Sequence, residues 1–281
     1  MTDDTSLQAR AEAAPWLRWG ARVGIVAEGA IYVLIGGLAL AGAFDPSQRP
    51  KGSAGAMSQL AHMPMGRVLL GLLALGLCAY VFWQLVLAVI DPECREHRWE
   101  WKRIALRFHH LWSAALHCVL VGMAAWQILE AGRAQDDGHT QRQLAATALR
   151  LPGGRWLLAG IGVGIVGFAL AQWVAACRPQ QQTRMELAHT PLRRPILTLL
   201  ALGYFARGAL FGLIGAFLLH AAWQHDPSEV TGISGALQSL RRQPYGPWLL
   251  GIVAIGLIGF GLAEMARARY RDMRVGEKGD D

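Results

Sequence analysis

Polar residues in this chain punctuate six apolar blocks. Near-continuous runs of Ala, Gly, Val, Leu and Ile cover about 21–43, 66–90, 105–128, 154–177, 196–222 and 247–266. Between them stand stretches such as Asp45-Pro46-Ser47-Gln48-Arg49-Pro50. At ~1.5 Å of rise per residue, about twenty residues cross a hydrocarbon core of ~30 Å, so each block has the length of a membrane helix. The runs show no strict alternation, which argues against barrel strands. The pattern predicts an all-α integral membrane protein with six transmembrane helices.

The blocks are copies of one another. The second, fourth and sixth begin Pro64-x-Gly66-x-x-Leu69-Leu70, Pro152-x-Gly154-x-x-Leu157-Leu158 and Pro244-x-Gly246-x-x-Leu249-Leu250. Each then places a glycine, an aromatic and an amide or acid at the same offsets. These are Gly76, Tyr80 and Gln84; Gly164, Phe168 and Gln172; Gly256, Phe260 and Glu264. The odd blocks align through Gly24, Glu28, Gly29 and Gly36 against Gly203, Arg207, Gly208 and Gly215. The third block fits through Leu120, Val121 and Gly122, with His110 where the others have Gly24 and Gly203, and Ala114 at the Glu28 position. A fixed period of this kind marks a repeat architecture. Three sequential helical hairpins follow, all in one orientation because each holds an even number of spans, and a pseudo-threefold bundle is the natural packing. Short amphipathic segments at 56–63, 144–151 and 236–243 precede each proline and are expected as interfacial helices in the outer loops. Ser53 or Gly55, and Ser234, stand where caps are expected, with the proline starting the next helix.

The thrice-repeated hairpin with its Pro-x-Gly-x-x-Leu-Leu start, over about residues 17–268, resembles the bacterial membrane family DUF1206, a domain of unknown function. That resemblance implies a six-helix bacterial membrane protein and confers no reaction, cofactor or catalytic residue. The organisation read here is a cytoplasmic tail at 1–16, hairpins at 17–91, 104–178 and 195–268, and a second cytoplasmic tail at 269–281.

Composition sharpens the class. Hydrophobic types make up 53% of the 281 residues and charged types only 17%, where a soluble domain carries about a quarter. A water-soluble enzyme, a disordered chain and a disulfide-rich secreted module are excluded. The charge of +7 is distributed unevenly. Seventeen of the 27 Lys and Arg residues fall on the N-terminal side of the six spans and nine on the other, with Arg207 inside a span. The positive-inside rule then puts both termini in the cytoplasm, for a multi-pass protein of the bacterial inner membrane. The partner this implies is the lipid bilayer, with a membrane protein as a further partner and no nucleic acid. Leu38 to Ala43 imitates a signal-peptide cleavage site, but the segment has a sister copy later in the chain and reads as a span. Cys78, Cys94, Cys118 and Cys177 lack CxxC spacing and none lies in an outer loop, so no disulfide is expected.

The candidate chemistry is a polar layer inside the membrane. A charge at mid-helix costs ~2.5–3.5 kcal/mol on insertion scales and so needs a reason. Glu28 and Arg207 hold equivalent repeat positions with opposite charge. Gln84, Gln172 and Glu264 approach the same depth from the other direction, and His110 and His117, seven apart, share a helix face with them. The expectation is one layer in the cytoplasmic half, locked by a Glu28–Arg207 pair and amide hydrogen bonds. The outer halves read as almost purely apolar, which speaks against a continuous pathway. The leading function is therefore a non-enzymatic membrane scaffold or accessory subunit. The alternative is a channel or transporter for a proton, ion or small polar solute, with Glu28, Glu264, His110 and His117 carrying protons. No metal site, no cofactor and no catalytic residue is expected: His109 and His110 lack a partner at their depth for haem, and no nucleotide loop, nucleophile elbow or zinc motif appears.

Overall fold

The computed structural model describes residues 15–45, 47–90, 100–129, 137–178 and 193–270. Both tails and the loops carrying Cys94, Arg95 and Arg184 lie outside the described residues. The regular structure within them is entirely helical. In chain order it comprises α1 (Pro15–Phe44), α2 (Ser53–Ala61), α3 (Gly66–Ile90), α4 (Glu100–Leu129), α5 (Asp137–Arg150), α6 (Gly154–Cys177), α7 (Arg193–Gln224), a 3-10 turn (Pro227–Glu229), α8 (Ile233–Arg241) and α9 (Gly246–Tyr270). Six of these, α1, α3, α4, α6, α7 and α9, are long and apolar enough to cross a membrane, and α2, α5 and α8 are the short helices between them. The chain is a multi-pass membrane protein of three helical hairpins. We call the side on which α1 begins basal and the side carrying α2, α5 and α8 apical.

The Pro-x-Gly motif acts differently from the sequence expectation. The proline does not start the helix; it occupies the second position of a tight turn that ends the short helix. Gly66 donates its N–H to the Met63 carbonyl at 2.8 Å, Gly154 to Leu151 at 2.9 Å and Gly246 to Gln243 at 2.8 Å. The residue after each proline is left-handed, with φ 59° at Met65, 78° at Gly153 and 60° at Tyr245. Proline at the second position and a positive φ at the third define a type II turn. The glycine that follows is forced by space, since a Cβ on Gly66, Gly154 or Gly246 would run into the carbonyl of Leu60, Ala148 or Arg241 in the preceding short helix. Ser53 and Ser234 are not caps. Ser53 and Gly55 lie inside α2 and Ser234 inside α8, so Gly52, one residue before Ser53, and Gly232, two residues before Ser234, take the N-cap positions without a side-chain bond.

Two seams between hairpins repeat each other in detail. Where α1 meets α9, Gly29 and Gly36 press against Gly261 and Ala254; where α7 meets α6, Gly208 and Gly215 press against Ala169 and Gly162. Small residues admit this close approach in lipid, where packing rather than water expulsion drives association. The third seam, α3 against α4, is looser: Gly122 occupies the equivalent position and has nothing within 4 Å of a Cβ built on it. Around the bundle the spans run α4, α3, α1, α9, α7, α6, each packed on the next.

That ring does not close. Among the described residues α4 and α6, the two spans of the middle hairpin, make no packed interface. Buried positions amount to 17% of the apolar stretch of α4 and 22% of that of α6, against 61% in α9. A change of residue at the crossing point accompanies it. In the first and third hairpins Gly24 and Gly203 lie on the backbones of Tyr80 and Phe260, where a Cβ would come within 2.7 Å of the Tyr80 and Phe260 Cα atoms. The middle hairpin has His110 at that crossing point and does not close over Phe168. The difference is visible on α6. A Cβ on Gly76 or Gly256 would lie 2.6 Å from the Cβ of Ala27 or Ala206 in its own hairpin, whereas Gly160, Gly164 and Gly167 have nothing within 4 Å.

Candidate functional site

The apical half of the interior is dry and filled. Ile35, Met57, Leu70, Leu237, Leu250 and Leu257 are at most 1% exposed, and α2, α5 and α8 meet one another over them. Gln127 is the exception to an apolar outer half: it is fully buried there, and neither atom of its amide has a hydrogen-bond partner. Polar side chains otherwise gather in the basal half, in two groups.

The first group ties hairpin one to hairpin two. Gln84, buried on α3, uses its whole amide. Its Nε2 donates to the Tyr80 hydroxyl at 2.7 Å and to Ser113 Oγ at 3.1 Å, and its Oε1 accepts from His110 Nδ1 at 2.7 Å. The imidazole at the crossing point of the open hairpin is thus held by α3 instead. Two turns further along α4, His117 Nδ1 donates to the Ser113 carbonyl at 2.8 Å, and its ring lies over Tyr80 with centroids 4.3 Å apart. A carbonyl only accepts, so Nδ1 carries a hydrogen and Nε2 is the nitrogen left to face other groups. That nitrogen stands 4.0 Å from Glu28 Oε1.

The second group centres on Arg207. Its guanidinium carbon lies 4.4 Å from the Phe260 ring centre, 4.8 Å from Tyr32, 5.8 Å from Phe168 and 5.9 Å from Phe211. Rings from α1, α6, α7 and α9 thus surround one cation, and each such contact contributes about 0.5–2 kcal/mol depending on how dry it is. Glu28, Glu264, Tyr32 and Tyr204 are all within electrostatic reach of it. No ion pair forms between Glu28 and Arg207, however. The carboxylate faces His117, and Arg207 Nε is buried without a hydrogen-bond partner. The rings of Tyr32 and Phe260 stand closest to the guanidinium instead. Gln172, at the place Gln84 holds in hairpin one, is buried with its Nε2 unpartnered. Its repeat offers Phe168 without a hydroxyl where hairpin one has Tyr80. Glu264 is 3% exposed.

The seven residues expected as one layer therefore divide. Glu28, Gln84, His110 and His117 form a connected cluster, Arg207, with Glu264 within electrostatic reach, stands among aromatic rings, and Gln172 is buried with its Nε2 unpartnered. The family model described as a domain of unknown function, DUF1206, matches residues 23–91, 110–178 and 202–271, one match per hairpin. The chain belongs to the DUF1206 family. This DUF1206 protein is 32% identical over 265 residues to the protein called "Uncharacterized protein YxxB" of Bacillus subtilis strain 168, spanning 93% of this chain and 94% of the relative. No solved structure matches it.

Two residues of the DUF1206 site, Ser113 and Tyr32, escaped the sequence reading, whereas Phe211 stands in the stripe that the four-residue spacing from Gly203 and Arg207 predicts. Ser113 lies three residues after His110 and four before His117, a spacing that places it on their face. Tyr32 and Phe211 are equivalent in the repeat and make equivalent ring contacts, Tyr32 with Phe260 and Phe211 with Phe168, both at 5.0 Å. Extending the repeat alignment four residues past Glu28, as from Arg207 to Phe211, picks out Tyr32.

Proposed function

We propose that this DUF1206 protein is a non-enzymatic, non-conducting scaffold or accessory subunit of the bacterial inner membrane, with both termini in the cytoplasm. One observation carries the reading: apart from the single amide of Gln127, the buried polar groups gather in the basal half, and the apical half over them is a filled apolar core beneath three converging short helices. A pathway for ions or polar solutes needs polar groups or water along its whole length, because an unsatisfied polar group in hydrocarbon costs several kcal/mol. The hydrogen bonds of Gln84 join two hairpins, which is what a register lock does. The orientation rests on the Lys and Arg bias of the sequence.

A second reading has one observation in its favour. His117 Nε2 faces the Glu28 carboxylate at 4.0 Å, an arrangement suited to holding a proton between them. A proton carrier built on this pair is the alternative. Flux from proteoliposomes decides between the two. The scaffold reading expects no movement of protons, common ions or small solutes above protein-free vesicles at any pH between 5 and 8. Proton flux that disappears in Glu28→Gln and in His117→Gln would overturn it and install the carrier.

A further inference from the structure

We propose that the opening between α4 and α6 is a lateral portal through which a long-chain carboxylate reaches Arg207 from the bilayer. The inference is independent of the scaffold reading. Arg207, on α7, stands among the rings of Tyr32, Phe168, Phe211 and Phe260, yet among the described residues it forms no ion pair and its buried Nε has no partner. A guanidinium has five donors in a planar fork that fits two coplanar oxygens. A second donor lies nearby. Gln172 is more than nine-tenths buried, its Nε2 is unanswered, and it stands one turn beyond Phe168 on the same face of α6. The ring of Phe168 flanks the guanidinium. The unanswered groups on both sides of that ring include two donors, so the complementary head group accepts hydrogen bonds and bears negative charge.

The charge balance selects the head. The cation here is a single guanidinium, whose planar fork and single charge match a monoanion with two coplanar oxygens better than a phosphomonoester dianion. The route selects the tail. The apical side is filled, whereas the side between α4 and α6 faces hydrocarbon. Along it run Gly164 and Gly167 of α6 with nothing within 4 Å, although Gly76 and Gly256, the repeat equivalents of Gly164, are tightly packed. A single acyl chain lying on that glycine track fills the place that the missing helix leaves and brings its carboxylate to the ring-lined cation.

The test is oleate binding to the full-length protein purified in a neutral detergent, with carboxyl-labelled oleate as the probe. One saturable site per chain is expected. Arg207→Gln should weaken it at least tenfold by removing the charged fork. Gly164→Leu should do the same by filling the track, at a position where a side chain meets nothing and folding is preserved. Gly37→Leu on α1, equally unobstructed and away from the opening, should leave affinity unchanged. Lysophosphatidate at equal concentration should not displace oleate. Non-saturable partitioning, unchanged affinity in Gly164→Leu, equal loss in Gly37→Leu, or displacement by lysophosphatidate would each overturn the proposal.

Discussion

Gln84 and Gln172 hold the same place in two copies of one repeat and meet opposite fates. Every hydrogen-bonding atom of Gln84's amide has a partner on Tyr80, Ser113 or His110, while the Nε2 of Gln172 has none. Removing one partner of a buried hydrogen bond costs more than the bond is worth, about 1–3 kcal/mol for each group left unsatisfied. Gln84→Leu should therefore lower thermal stability in detergent by an amount equivalent to about 2–3 kcal/mol. Gln172→Leu should be neutral or slightly stabilising in the same melting assay. The contrast was half legible in the sequence. The offset of the two amides from Pro64 and Pro152 is plain, but what answers each depends on Ser113 and on the Tyr80 hydroxyl. Those partners come from tertiary contact and leave no period in the chain. Glu28 and Arg207 teach the same lesson: equal depth and opposite charge predicted a pair, and the direction in which each side chain leaves its helix decided otherwise.

At the scale of the element, glycine placement carries most of the information. Gly76, Gly164 and Gly256 are equivalent in sequence, and only the helix opposite distinguishes them. Gly76→Ala and Gly256→Ala should each destabilise by about 1–3 kcal/mol, the usual cost of forcing atoms into a packed contact. Gly164→Ala should raise stability by up to ~1 kcal/mol, because alanine is the better helix former and nothing obstructs it. Melting temperatures of the three variants side by side check this. The turns offer a harsher case: Gly246→Ala would drive a methyl into the Arg241 carbonyl and should cost about 3 kcal/mol or more, read out the same way. The apical loops add a pH dependence. Asp45 accepts from the Ser47 hydroxyl and amide, and Asp226 from the Ser228 hydroxyl and amide, which holds both carboxyls below the usual value of 3.8. Their contribution is present above that value and is lost as pH falls through the lower folded values. Double substitution to Asn should therefore flatten the acid limb of a stability–pH curve below about pH 4 and leave the curve near neutrality nearly unchanged in shape.

For the whole molecule, the six spans, their pairing into hairpins and the threefold plan were readable because length, hydropathy and period are local properties of the chain. The open side was foreshadowed only by His110 standing where glycine was due. Its meaning needed the knowledge that Gly24 and Gly203 lie on the Tyr80 and Phe260 backbones. A direct check follows from the packing order. Cysteine pairs placed across the α1–α9 and α6–α7 seams should cross-link with short reagents in membranes, and a pair at positions 113 and 164 across the middle hairpin should not, although its repeat equivalents 27/76 and 206/256 touch.

The open middle hairpin thus gives a nearly rotationally symmetric protein a front and a back. Viewed down the membrane normal, two thirds of the palisade is continuous and the remaining third carries a notch. A neighbour diffusing in the plane of the bilayer meets a surface with only one bearing of its kind, so any assembly seated in that notch has a single azimuth and one copy per chain.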